Sequence, residues 1–196
     1  MPQAIYDYHY GIEAEQYAYF RIPKLLMTEP HFKDISTDAK LLYGLMLDRM
    51  GLSVKTGWLD LGCGSGILSI AALRLGAANA VAVDIDEKCQ TVAYDNAALN
   101  DIGKDVYTVR VGNVLTDEEM RAELGGGYQI VLANIVADVI IGLAPMVRSM
   151  MAEGGVFLCS GIIDTRAEEV AEKLRQNGLE ITDTHSNDGW YAFTCR

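Results

Sequence analysis

Asp60-Leu61-Gly62-Cys63-Gly64-Ser65-Gly66-Ile67 is the stretch on which the fold turns. A short apolar run, Trp58-Leu59, leads into it, and Leu68, Ile70, Ala71 and Leu75 follow at helical spacing as the expected core side of a helix. The glycines therefore sit at a strand-to-helix turn, where they let the backbone bend tightly and approach a ligand with no Cβ in the way. A dinucleotide loop of the form G-x-G-x-x-G needs glycine at position 67, where Ile67 stands instead, and an acid, Asp60, closes the preceding strand.

Downstream, β-rich apolar runs alternate with helical patterns, the signature of a parallel sheet covered on both faces. Strands are expected at Trp58–Asp60, Ala80–Asp84, Tyr107–Val111, Ile130–Asn134, Val156–Ser160, Glu180–His185 and Trp190–Cys195. Helices fit Ile67–Leu75, Glu87–Asn100, Asp117–Leu124, Val136–Met150 and Thr165–Asn177. The last two strands are too close in sequence for a crossover helix, so they should form an antiparallel hairpin at Asn187-Asp188-Gly189, unlike the ending of a dehydrogenase.

At the end of the second strand, Asp84 offers a carboxylate able to accept hydrogen bonds from both hydroxyls of a ribose, while Asp86 caps the following helix. Asn113, after the third strand, is placed either to bond an adenine edge or simply to make a turn. Cys63 and Cys159 read as small core residues, with nucleophiles as the alternative. The cysteines are scattered singly, and His9, His31 and His185 have no ligand spacing, so no metal is expected.

The form D-x-G-x-G-x-G resembles the loop of S-adenosylmethionine-dependent methyltransferases. That ligand carries a sulfonium and a cationic amino acid tail but no pyrophosphate, so the resemblance makes Asp60 a partner of the methionyl ammonium, directly or through water. The fourth strand ends Ala133-Asn134-Ile135-Val136-Ala137-Asp138, without the prolines and aromatic that enzymes methylating planar amides carry at this place. With DLGCGSGILSIAALRLGA, VDID, DNAALN and the closing Gly189-Trp190, this segment resembles the bacterial ribosomal protein L11 methyltransferase family from about Trp58 to Arg196.

The resemblance implies a Rossmann-like, seven-stranded methyltransferase sheet, mostly parallel with a terminal antiparallel hairpin. It implies cofactor contacts at Gly62, Asp84 and Asn134, with Asn134 also near the incoming amine. Gly64, Gly66, Asp60 and Asn113 complete the expected S-adenosylmethionine site. The expected reaction methylates lysine side chains and the α-amine of a ribosomal protein. Position and desolvation would do most of the work, with no dedicated base. Trp190 either fills the sheet edge or stands near the substrate.

Composition shifts near Gly57. Residues 1–56 hold eight of the sixteen aromatics and nearly balanced charge, six basic against seven acidic, whereas residues 57–196 hold ten and twenty. The expected division is a short, mainly helical segment at 1–56 and a catalytic domain at 57–196. The stretch YFRIPKLLMTEPHFKDISTDAKLLYGLMLDRMGLSVKTGW resembles the start of the RepA-type plasmid replication initiator amino-terminal domain, and the likeness covers nearly all of residues 6–58. A helix capped by Ser36 or Thr37 is expected there, after short turns punctuated by Pro23 and Pro30.

That family's winged helix should continue with a recognition helix and wing after Trp58, and neither follows. Tyr6, Tyr8, Tyr10, Tyr17 and Tyr19 either stack bases or pack, and without flanking lysine or arginine packing is favoured. A net charge of −11 disfavours a phosphate backbone and suits a cationic protein partner, though it also serves solubility. In the methyltransferase family a recognition domain and a GTGxHxTT segment precede the catalytic domain, and the resemblance implies that residues 1–56 stand in their place. Two alternatives thus stand beside a protein methyltransferase: a truncated DNA-binding module fused to it, or a chimera that binds cofactor without turnover. No apolar run reaches eighteen residues and the amino terminus does not read as a secretory signal, so a cytoplasmic protein is expected.

Overall fold

The computed structural model describes residues 57–196; the capped helix and proline-punctuated turns expected before position 57 lie outside the described residues. The elements run β1 (Gly57–Leu61), α1 (Ile67–Arg74), β2 (Asn79–Asp84), α2 (Glu87–Ala98), β3 (Tyr107–Val111), α3 (Glu118–Leu124), β4 (Tyr128–Asn134), α4 (Ala137–Met150), β5 (Met151–Ile163), α5 (Asp164–Gln176), β6 (Ile181–Asn187) and β7 (Trp190–Cys195). They form one seven-stranded sheet in the order β3-β2-β1-β4-β5-β7-β6. The first five strands pair in parallel, whereas β7 runs antiparallel between β5 and β6.

The alternation expected from the sequence is what is found. β6 and β7 are joined by Asp188-Gly189 alone, with φ of 46° and 82°, the double positive φ of a two-residue turn whose twist matches a hairpin. β5 begins earlier than expected. Gly154-Gly155 interrupts the β-rich pattern, yet Met151 already pairs with Tyr128 before an irregularity restores the ladder at Ile130 and Val156.

A row of fully buried side chains, Leu59, Val131, Phe157 and Cys195, crosses β1, β4, β5 and β7 at matching register positions. The helical stripe Ala137, Ile140, Leu143, Ala144, Val147 and Met150 belongs to the same core, as do Ala167, Val170, Ala171 and Leu174 of α5. On α1 the expected face is corrected. Ser69, Ile70 and Ala72 are buried, while Leu68, Ala71 and Leu75 are only half-buried, because the helix turns Ser69 toward Asp60 on β1. No helix among the described residues is long and apolar enough to cross a membrane.

The outer strand β3 has its free backbone groups covered by α2. Tyr94 Oη accepts from Val109 N at 3.0 Å, and Gln90 Nε2 donates to Val109 O at 2.8 Å, which closes an edge otherwise open to pairing. Tyr94→Phe leaves the N–H of buried Val109 without its partner. A loss of about 1 kcal/mol in urea unfolding is the expected result, and an unchanged midpoint would show that water replaces the phenol at no cost.

Candidate functional site

In an open parallel sheet the binding crevice lies outside the carboxyl ends of the strands where the strand order reverses, here between β1 and β4. The loop after β1 and the end of β4 meet there. A Cβ on Gly62 would fall 2.6 Å from Ile135 Cδ1, so the loop and the Asn134-Ile135 segment are in contact.

The loop is tied to β2 by its backbone. Gly62 N and Cys63 N donate to Val83 O at 2.8 and 3.1 Å, and Gly64 N donates to Asp84 Oδ2 at 2.8 Å. Asp84 Oδ1 accepts from Asp86 N at 3.0 Å, so each carboxylate oxygen is fixed by one N–H and keeps lone-pair capacity for a ligand. Asp86 caps α2 through Lys88 N at 2.9 Å. Asn96 Nδ2 braces the loop from α2 by donating to Ser65 O at 2.9 Å.

Gly66 and Gly64 differ in what surrounds them. At Gly66, φ is 78° and a Cβ would lie 2.5 Å from Tyr107 Oη and 2.9 Å from Ala93 Cβ. At Gly64, φ is 51° and no described atom lies within 4 Å of a Cβ, so the loop opens outward there.

Asp60 stands beneath this loop, 1% exposed. Its Oδ2 accepts from Ser69 Oγ at 2.8 Å, while Oδ1 is buried and has no partner among the described residues. Burial above all, partly offset by the Ser69 hydroxyl and amide and reinforced by the charge of Asp84, pushes its carboxyl up to about 6. The sequence missed Ser69 and Tyr107. Tyr107 Oη is also buried, beside Ser69, and burial pushes the phenol up. Cys63 and Cys159 are buried, and desolvation raises both thiols, which suits inert core residues.

Asn134 ends β4 and is exposed; its Oδ1 accepts from Ser160 Oγ at 2.9 Å. Asn113 Oδ1 accepts from Leu115 N at 3.0 Å, which is the turn alternative, although the neighbouring Gly112 N donates to Asp84 O at 2.8 Å and so keeps this loop beside the site. Trp190 pairs with Ile163 on β5 and is half-exposed, two strands away from β4 in the sheet order. Arg166 bridges Asp138 at 2.7 Å and Glu169, joining the first turns of α4 and α5. Among the described residues no group of three or more His, Cys, Asp or Glu side chains is placed to hold a metal.

The donor set fits an S-adenosyl cofactor by its chemistry. A buried carboxylate oxygen without a partner can meet a cationic group through water, a second carboxylate is held at the end of β2, and an open glycine loop lies between them. This sheet order with this loop defines the class, an S-adenosylmethionine-dependent methyltransferase domain. The family model of ribosomal protein L11 methyltransferase (PrmA) matches residues 45–196. The chain belongs to that family.

A second model, the replication initiator protein A (RepA) N-terminus, matches residues 18–64, so the two matches overlap at 45–64. The ribosomal protein L11 methyltransferase of Agathobacter rectalis is 42% identical over 139 residues, which cover 70% of this chain and 43% of that protein. The chain thus spans about half the length of the curated relatives it matches. A solved ribosomal protein L11 methylase from Lactobacillus delbrueckii subsp. bulgaricus aligns with a TM-score of 0.72 at 28% identity, over 82% of this chain and 79% of that one. An RNA methyltransferase from Salinibacter ruber in complex with S-adenosyl-L-homocysteine shares the fold, with a TM-score of 0.59 at 19% identity, over 79% of this chain and 89% of that one.

Proposed function

We propose that residues 57–196 form a cofactor-binding catalytic domain that methylates an amine of a protein, ribosomal protein L11 or a cationic relative of it. The observation that carries this is the loop at the switch point, locked by Gly64 N to Asp84 and underlain by the unpartnered Oδ1 of Asp60, in a chain of this family. When bound, S-adenosylmethionine supplies a methyl group already activated on sulfonium. The residues of the chain do the rest.

Asp60 balances the ammonium tail, through water since its oxygen is buried, and Asp84 accepts from the ribose hydroxyls with the lone pairs its two N–H contacts leave. Asn113 keeps its amide nitrogen for the adenine edge, its oxygen being spent on Leu115. Asn134 accepts an N–H of the incoming amine and turns the nitrogen lone pair toward the methyl group. A lysine must be neutral to attack, and partial burial of the amine beside Asn134 and backbone carbonyls lowers its pKa by desolvation. Asn134 is exposed, so the departing proton passes to solvent with no dedicated base.

The excess of acidic over basic side chains in residues 57–196 supports a cationic protein substrate. On this reading residues 1–56 form a separate segment that resembles the replication initiator, and their nearly balanced charge gives no support to duplex binding.

Calorimetric titration of S-adenosylmethionine into the full chain and into Asp84→Ala tests the cofactor site. The variant is expected to bind at least tenfold more weakly, since it loses both the ribose acceptor and the anchor of Gly64. Equal affinity in the two proteins would sink the assignment of Asp84. Transfer of labelled methyl to purified ribosomal protein L11 tests the reaction itself, and a chain that binds cofactor yet transfers nothing would leave the chimera reading standing.

A further inference from the structure

Asn134 is exposed at a strand end, where an amide ordinarily turns freely, so something must hold it if it is to orient an amine. Its register partner across β4 and β5 is Ser160, and the Ser160 hydroxyl donates to Asn134 Oδ1 at 2.9 Å. This is the only hydrogen bond of the Asn134 side chain among the described residues. The backbone fixes the same contact, because Ile135 N donates to Ser160 O at 3.0 Å.

β5 is irregular at this point. Its pairing with β7 runs from Cys159 opposite Phe193 to Ile162 opposite Tyr191, three steps on β5 against two on β7, so one extra residue bulges at Ser160-Gly161. Gly161 has φ of 82°, and a Cβ there would stand 2.9 Å from Ile135 O and 3.1 Å from Ile135 N. Only glycine lets β5 press this closely on the Asn134-Ile135 backbone. A bulge of this kind bends its strand and re-aims a side chain, and the side chain it carries is the serine bonded to Asn134.

We propose that Ser160 is the positioning residue of the reaction: its hydroxyl holds the Asn134 amide in the one orientation that leaves an oxygen lone pair for the incoming amine. The inference rests on the reading of Asn134 as the amine's partner. Ser160 itself touches neither substrate nor cofactor in this role. Its bond fills one of the two acceptor directions of Asn134 Oδ1 and so directs the other.

The test compares Ser160→Ala, Ser160→Val and Ser160→Thr in the full chain by two readouts. The first is the nitrogen-15 order parameter of the Asn134 side-chain amide, which needs no turnover. Ser160→Ala and Ser160→Val are expected to drop it from roughly 0.8 to below about 0.6, whereas Ser160→Thr, which keeps a hydroxyl, retains it. The second is methyl transfer to ribosomal protein L11. Here Ser160→Ala and Ser160→Val should lose about tenfold in kcat, and Ser160→Thr should recover most of it. In an Asn134→Ala background Ser160→Ala should cost nothing further.

Unchanged amide order in Ser160→Ala, or equal behaviour of the valine and threonine variants, overturns the positioning role whatever Asn134→Ala does. Full turnover by Asn134→Ala overturns the reading of Asn134 whatever Ser160→Ala does.

Discussion

Asp60→Asn is expected to become progressively more stable than the parent protein as pH rises from 4 to 7, by up to about 3 kcal/mol, while binding S-adenosylmethionine more weakly. The stability part follows from burial. The Asp60 carboxyl, ordinarily near 3.8, is pushed up to about 6 in the folded chain, so the native state holds its proton over a range where the unfolded chain has lost it. The contribution of Asp60 is therefore complete below about pH 4 and is lost as pH rises through about 6.

An asparagine has no proton to lose, and about two pKa units at 1.36 kcal/mol each give the size of the divergence. Any fixed cost of the new amide shifts the whole curve and leaves the divergence unchanged. Urea unfolding of both proteins at pH steps between 4 and 7 measures it, and a flat difference would show that Asp60 titrates normally.

The cofactor part has the opposite sense. The unpartnered Oδ1 is a standing cost in the free protein and an asset once an ammonium lies within reach, so saturating S-adenosylmethionine should shrink the divergence.

Gly66→Ala is expected to cost about 2–4 kcal/mol, whereas Gly64→Ala costs about 1 kcal/mol and yet weakens cofactor binding at least tenfold. Both residues have left-handed backbone, which accounts for about 1 kcal/mol in each. The difference lies in the neighbours. A Cβ at Gly66 meets the hydroxyl end of the fully buried Tyr107 ring and the Cβ and Cα of Ala93 in α2, neither of which has room to retreat. At Gly64 it meets nothing described, because that side of the loop faces outward, where a ligand backbone contact belongs. Thermal unfolding and calorimetric titration of the two variants separate the effects. If Gly64→Ala bound cofactor as the parent does, the ligand could not approach the loop at that residue.

Most of the architecture of residues 57–196 was legible because each element carries a local pattern. Tyr107–Val111 and Trp190–Cys195 match the structure residue for residue, since short β-rich runs there are bounded by turn residues. Asp86 was legible as a helix cap because capping needs only the side chain and an amide two residues on. Where local pattern and packing diverged, the sequence misled. The early start of β5 was hidden by Gly154-Gly155, and the buried side of α1 was misjudged because a serine occupies the position that faces β1.

The candidate site divides along the same line. The glycine loop and Asp84 lie at adjacent strand ends in a regular sheet, so their spacing in sequence already implied that they meet. Asp60, expected as a partner of the ligand's ammonium, is buried beneath the loop against Ser69. Alternation along β1 explains this: Leu59 joins the core against α4 and α5, which sends Asp60 to the face covered by α1.

By itself the sequence determined the order of strands and helices, the turn at Asp60–Gly66 and the closing hairpin, because these depend on residues close together in the chain. Tertiary structure alone decided the ionisation of Asp60 and the pairing of Asn134 with Ser160. The first depends on what excludes water from one carboxylate, and the second on a register between strands that places side chains 26 residues apart within hydrogen-bond distance.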